Sequence, residues 1–382
     1  MARPSRNPFH YGGPVTGDQF TGRTAELTAV VSRLENHISV VLSSPRRYGK
    51  SSLIRRSCEI LESRQLQPAV VSVNLLRCGS LPNLVSALLR RLYVVPGGPW
   101  SRLKHALPAF VHRFRLSPTV QFGLDGSPTF TFGPTLAASD AQSVIADVYA
   151  ALGEIGKKRP AVLIFDEFQA VTDLDPHLPS LLKALADEHP AVSLVLAGSR
   201  HHLMEALVFD KGAPLYNMCQ TIALGPIPES DWVPFLAARA KAGRRPFADE
   251  GVARLVLERA GPVSFDIQQL AFESFLRAAT TIDAAAVEAG MAQLIEHEAS
   301  TYAERFEGLS PGQRRVLVAL AGDPAATSGS QAFATSVGLA DPTSVRKTVT
   351  TLAQAEHLVR RPEGWQVDDP FFAAWIRAGP GG

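Results

Sequence analysis

Ser44-Pro45-Arg46-Arg47-Tyr48-Gly49-Lys50-Ser51 places a glycine, a lysine and a hydroxyl side by side. That spacing suits phosphate. In the pattern G-x-x-x-x-G-K-[ST], backbone N–H groups turn inward on an anion, and the helix that follows adds the positive end of its dipole. Gly49 lets the backbone come close. Lys50 meets the β- and γ-phosphates as a point charge, and Ser51 offers its hydroxyl oxygen to Mg²⁺. Ser44 stands where the pattern has its first glycine. Pro45, Arg46, Arg47, Tyr48 and Ser52 complete the candidate nucleotide-binding stretch. Arg46 and Arg47 could serve a neighbouring subunit or simply hold acids.

A second set closes the apolar run at 161–165, where Asp166 and Glu167 follow Ala-Val-Leu-Ile-Phe. Ligands of open α/β sheets bind at the carboxyl ends of strands. There Asp166 suits a hard cation, directly or through water. Glu167 suits the proton of an attacking water, as base or orienting group. Without a phosphate loop upstream, the same pair would read as a solvated acidic turn. A third tip, Ala197-Gly198-Ser199-Arg200, ends the run at 192–197. Ser199 could bond the γ-phosphate or the water, or cap the helix that follows. Arg200 could meet phosphate or face solvent. His201 and His202 are neighbours on a helix, so they point apart and do not form a metal pair.

These groups need elements to hold them. Runs at 37–43, 69–74, 161–166 and 192–197 are rich in Val, Leu and Ile and have the length of strands buried on both faces. Helical patterns separate them, as in a parallel α/β sheet. Residues 52–63 form the helix after the phosphate loop, with Leu53, Ile54, Cys58 and Leu61 apolar. Residues 119–132 alternate around Asp125-Gly126, which predicts a hairpin inserted in this block. From about 226 the pattern turns helical, at 230–242, 249–260 and 266–280, with breaks at Pro246 and Gly261-Pro262.

The last block predicts a winged helix: helices at 313–320, 331–337 and 342–355, then a wing from 358–362 through Gly364 to 365–367. Thr343, Ser344, Arg346, Lys347 and Thr350 fall on exposed positions of the third helix; Val345, Val349 and Leu352 face inward. Such a helix enters the major groove in DNA-binding relatives of the motif, and Arg360 and Arg361 lie where a wing meets phosphates. Asp341, Glu356, Glu363, Asp368 and Asp369 offset these bases, so the surface could equally face protein.

The 382 residues suffice for two or three domains; 46% are hydrophobic and 19% charged, as in globular chains. A net charge of +2 points neither to nucleic acid nor away from it. Cys58, Cys78 and Cys219 form no CxxC pair, as expected of free thiols in a reducing cytoplasm. No apolar run reaches the ~18 residues of a membrane span, and the polar start has no leader pattern. The expected localisation is cytoplasmic.

In this order the motifs resemble the archaeal-type ATPases of the STAND class of AAA-related P-loop proteins. Asn7-Pro8-Phe9-His10-Tyr11-Gly12 and Phe20-Thr21-Gly22-Arg23-Thr24-Ala25-Glu26-Leu27 look like that family's opening segment, as do the loop wording Pro-Arg-Arg-Tyr-Gly-Lys-Ser, Gly198-Ser199, Pro214-Leu215-Tyr216 and the closing Asp369-Pro370-Phe371-Phe372-Ala373-Ala374-Trp375-Ile376. The resemblance implies a P-loop NTPase parallel sheet at 1–225 with an insertion about 119–133, an all-helical lid at 226–306 and a winged helix at 307–382. It implies Arg23 near the nucleotide, ATP and Mg²⁺ as ligands, and slow hydrolysis. Two departures stand out. Asn217-Met218 follow Tyr216 where relatives carry Gly-Arg, and the lid reads Gly261-Pro262-Val263-Ser264 where relatives carry Gly-x-Pro. The expected output is a nucleotide-controlled switch for a partner, possible homo-oligomers included. The alternatives are a DNA-binding ATPase resembling replication initiators, or a protein-docking module with structural nucleotide.

Overall fold

The computed structural model describes residues 7–95, 119–122, 128–131, 137–199, 201–324, 326–361 and 364–379. Packing divides the chain into Gly13–Ile227 and a second unit that joins the chain's start, up to Gly12, to Pro228–Gly382.

In the first unit, β1 (Val40–Ser43), β2 (Ala69–Asn74), β5 (Ala161–Asp166), β6 (Val192–Gly198) and β7 (Gln220–Ala223) form one sheet, ordered β2-β5-β6-β1-β7. Every pairing is parallel. Alternation sorts the side chains to two faces. Leu163, Phe165, Leu194 and Leu196 join the core under the helices Leu81–Tyr93, Ala138–Gly156 and Leu178–Glu188. Val40, Leu42, Val162, Ile164 and Val195 join the core under Thr24–Glu35 and Lys50–Ser63. Both faces of the central strands β1, β5 and β6 are therefore covered, which is why these three read as continuous apolar runs, whereas β2 alternates buried with half-buried residues and β7 is mostly exposed.

The run at 37–43 yields a shorter strand than its composition suggests. His37 adopts a left-handed φ of 57°, and the Ile38 amide reaches back to the Arg33 carbonyl. The first residues of the run thus close the preceding helix, and extension begins at Val40. The inserted hairpin is present as β3 (Thr119–Phe122) and β4 (Pro128–Thr131), antiparallel with Val120 opposite Phe130. Its turn at Asp125-Gly126 lies outside the described residues.

The second unit holds the helices Glu229–Ala242, Glu250–Ala260, Ser264–Arg277 and Ala284–Glu307. The chain's start packs here: Phe9 is buried edge-on to Phe275, Asn7 donates to the Phe272 carbonyl, and Arg239 clamps the Pro8 carbonyl. The same unit ends in the winged helix. Its helices are Pro311–Gly322, Gln331–Ser336 and Pro342–Gln354, its wing is β8 (Leu358–Arg361) against β9 (Gly364–Val367), and Pro370–Ala378 closes it. Asp341 caps the third helix through the Ser344 amide. Val345, Val349 and Leu352 are buried, as the periodicity requires.

Candidate functional site

β1 carries the phosphate loop because it lies inside the sheet, between β6 and β7. The register sets Ser43 beside Gly198 and Asp166 beside Ala197. One sheet edge thus gathers the loop, the acidic pair and Ser199, which lie far apart in sequence.

The loop turns on two left-handed residues, Arg47 at φ 65° and Gly49 at φ 91°. Successive N–H groups in such a turn converge on one side, an anion-binding nest. A Cβ on Gly49 would meet nothing within 4 Å, so the backbone conformation, not space, calls for glycine there. Ser44 has no such conformation, which explains why serine fits where the pattern has glycine.

Lys50 is buried and opens the Lys50–Ser63 helix. Its Nζ donates to the carbonyls of Ser44 at 2.9 Å and Pro45 at 3.1 Å and to the Ser44 hydroxyl at 3.3 Å. Burial pushes its pKa down to about 8; Glu167 and Asp166 oppose that fall, and Arg46 adds to it. A desolvated ammonium inside a loop of inward N–H groups is a site built for an anion.

Ser51 donates to Asp166 Oδ2 at 3.1 Å. A hydroxyl and a carboxylate so placed are the oxygen donors a hard divalent cation takes. Among the described residues no group of three or more His, Cys, Asp and Glu could hold a metal. Two protein oxygens completed by phosphate oxygens and water is the arrangement Mg²⁺ favours. The residues therefore fit both nucleotide and Mg²⁺.

Glu167 has a left-handed φ of 54° at the strand tip. Its Oε2 accepts from the Ser199 hydroxyl at 3.0 Å and from Gln169 Nε2 at 2.5 Å. Ser199 thus touches the candidate base. Arg200 lies outside the described residues, as do the side chains of His201 and His202.

Two expected nucleotide contacts are occupied structurally. The Ser52 hydroxyl accepts from the Val15 amide at 3.0 Å. Arg23 is buried and donates to the Tyr48 carbonyl at 3.0 Å and the Gly225 carbonyl at 2.7 Å. It steadies the phosphate loop from behind. Tyr48 is itself buried, while Pro45, Arg46 and Arg47 are exposed. Sequence reasoning missed Gln169. Its one signal was a polar residue following Phe168 where the chain leaves a buried strand.

Residues 19–197 match the model of the AAA ATPase domain, and residues 300–378 match that of a probable winged helix domain. The chain thus carries an AAA ATPase domain on an α/β P-loop NTPase fold, with a winged-helix domain at its C-terminal end. Among solved structures it is similar to the Walker-type ATPase of Pyrococcus abyssi at 18% identity and TM-score 0.66, with 97% of this chain and 99% of that one covered. It is similar to the Aeropyrum pernix ORC2 protein in its ADPNP–ADP complexes at 14% identity and TM-score 0.57, with 93% of each chain covered. It is also similar to the Aeropyrum pernix ORC1 protein in complex with DNA, at 14% and TM-score 0.50, covering 95% of this chain and 94% of that one. At such identities the likeness is one of fold. No curated protein matches the chain. Among the described residues no helix is long and apolar enough to cross a membrane.

Proposed function

We propose that this ATPase binds duplex DNA through its winged helix and that its nucleotide state sets the affinity. The observation that carries the reading is the third helix of the winged domain. Val345, Val349 and Leu352 commit one face to the core, which leaves Thr343, Arg346, Lys347 and Thr350 exposed on the other. Arg360 adds an exposed base on the wing, its guanidinium 5.5 Å from the centre of the Trp365 ring. Arg361 is half-buried, close enough to Asp368 to oppose the rise that burial gives that carboxyl. The ORC1 relative, captured in complex with DNA, supports the same partner class.

At the sheet edge, Lys50 and the loop amides hold the phosphates, and Ser51 with Asp166 hold Mg²⁺. Bound between Ser51 and Asp166, Mg²⁺ would supply charge neutralisation at the phosphate oxygens. Glu167 takes the proton of the water that attacks the γ-phosphate in line. A finer placement within the STAND class is part of this proposal and rests on the motif wording alone.

The test is duplex binding across several salt concentrations, with and without ATP. Four phosphate contacts, from Arg346, Lys347, Arg360 and Arg361, give a slope of log affinity against log salt of about −3.6. Replacing Arg360 and Arg361 by alanine flattens it by about two and weakens all sequences alike. If ATP changes duplex affinity, duplex changes ATP affinity by the same factor. A protein without duplex affinity even at low salt overturns the DNA reading and leaves a protein-facing winged helix.

A further inference from the structure

Gln169 has no role in the phosphate and metal contacts above, yet it sits at the same sheet edge. It belongs to the short 3₁₀ turn Phe168–Ala170, next to the fully buried Phe168 and two residues before the fully buried Val171. The residue is 6% exposed. Nε2 donates to Glu167 Oε2 at 2.5 Å and lies 3.4 Å from the Ser199 hydroxyl, which bonds the same carboxylate oxygen at 3.0 Å. The carbonyl end is different: Oε1 is buried with no partner among the described residues. A buried amide with an unpaired carbonyl costs stability, and methionine of the same length would avoid that cost. The use of the amide therefore lies in its N–H groups. The tip of β6 is shaped around it. A Cβ on Gly198 would come within 3.0 Å of Gln169 Oε1 and 2.4 Å of Met204 Sδ, so only glycine leaves both side chains where they are.

We infer that Gln169 is a positioning residue for ATP hydrolysis. Together with Ser199 it pins Oε2 of Glu167 and so presents Oε1 to the attacking water. A glutamate side chain has three rotors, and holding one oxygen from a buried turn removes most of that freedom before the reaction begins. The inference rests on the reading of Glu167 as the base.

The test compares Gln169→Met, Glu167→Ala and their double variant in the full chain. Gln169→Met lowers kcat about a hundredfold, with the KM and Kd for ATP unchanged within about twofold. In the Glu167→Ala background the same change lowers kcat no further. The ligand-free proteins give a readout independent of turnover: in the unfolding equilibrium constants, the double variant departs from the product of the singles by about threefold or more. Gln169→Asn, too short to reach the carboxylate, serves if the methionine variant does not fold, and loses kcat likewise. A folded variant with kcat within about twofold of wild type, or multiplicative unfolding constants, overturns the inference and leaves the base reading intact. Normal turnover by Glu167→Ala removes the base reading itself, and the inference with it.

Discussion

Lys50 is expected to take up a proton when ATP binds above neutral pH. Its ammonium lies inside the phosphate loop, and burial lowers its pKa from 10.5 to about 8. That fall corresponds to roughly 3 kcal/mol by which the folded, ligand-free protein disfavours the charged lysine. At pH 8 about half of the ligand-free molecules carry neutral Lys50, at pH 9 about nine in ten, and at pH 7 about one in ten. Bound phosphate restores the charge, so net uptake rises from about 0.1 proton at pH 7 to about 0.9 at pH 9. A phosphate second pKa of about 6 leaves the nucleotide almost fully ionised at pH 8 and above, so the rise is read cleanly from pH 8 to 9. Calorimetry in two buffers of different ionisation enthalpy reads the uptake directly. Lys50→Arg abolishes it, because guanidinium stays charged throughout. The same group makes the ligand-free protein pH-sensitive. Between about pH 8 and 10.5 the unfolded chain holds the proton and the folded one releases it. Stability from this group therefore rises with pH across that window, and below about pH 8 the full penalty applies. Uptake that is flat from pH 8 to 9, or unchanged in Lys50→Arg, refutes a buried lysine facing phosphate.

Two further substitutions probe the same edge. Glu167→Gln is expected to bind ATP normally and hydrolyse it at least about a hundredfold more slowly, since the amide takes no proton; Asp166→Ala instead weakens Mg²⁺-dependent binding, and nucleotide titrations with and without the metal separate the two. Gly198→Ala is expected to keep the fold at a cost of about 1–3 kcal/mol, because Met204 can yield, while slowing turnover through the displaced Gln169; melting and steady-state assays check both parts.

The sequence by itself determined four of the sheet's five strands and the winged helix; β7, Gln220–Ala223, carries no apolar run and went unread. Buried strands announce themselves by continuous Val, Leu and Ile, so β2 and β5 were legible residue for residue. Gly49-Lys50-Ser51 was legible because backbone geometry and phosphate chemistry demand those types at that spacing. The third winged-domain helix was legible from its apolar period alone. The thiols of Cys58 and Cys219 were expected to be free, and they are; that burial pushes both up to about 12, favouring the protonated thiol, needed the packing. What a side chain does once folded was harder to read. Arg23 was expected near the nucleotide; its guanidinium meets two backbone carbonyls, one on Tyr48 of the phosphate loop and one at Gly225, which no local pattern joins to it. The hydroxyl of Ser52, a residue of the expected binding stretch, accepts from the Val15 amide, a partner no local pattern announces. Gln169 carried no motif at all. Its role arises because parallel pairing of β5 with β6 brings Ser199 to Glu167 across 32 residues. A strand's own sequence fixes its burial, but only strand order and register decide which tips become neighbours, and the proposed orientation of Glu167 rests on hydrogen bonds between those tips.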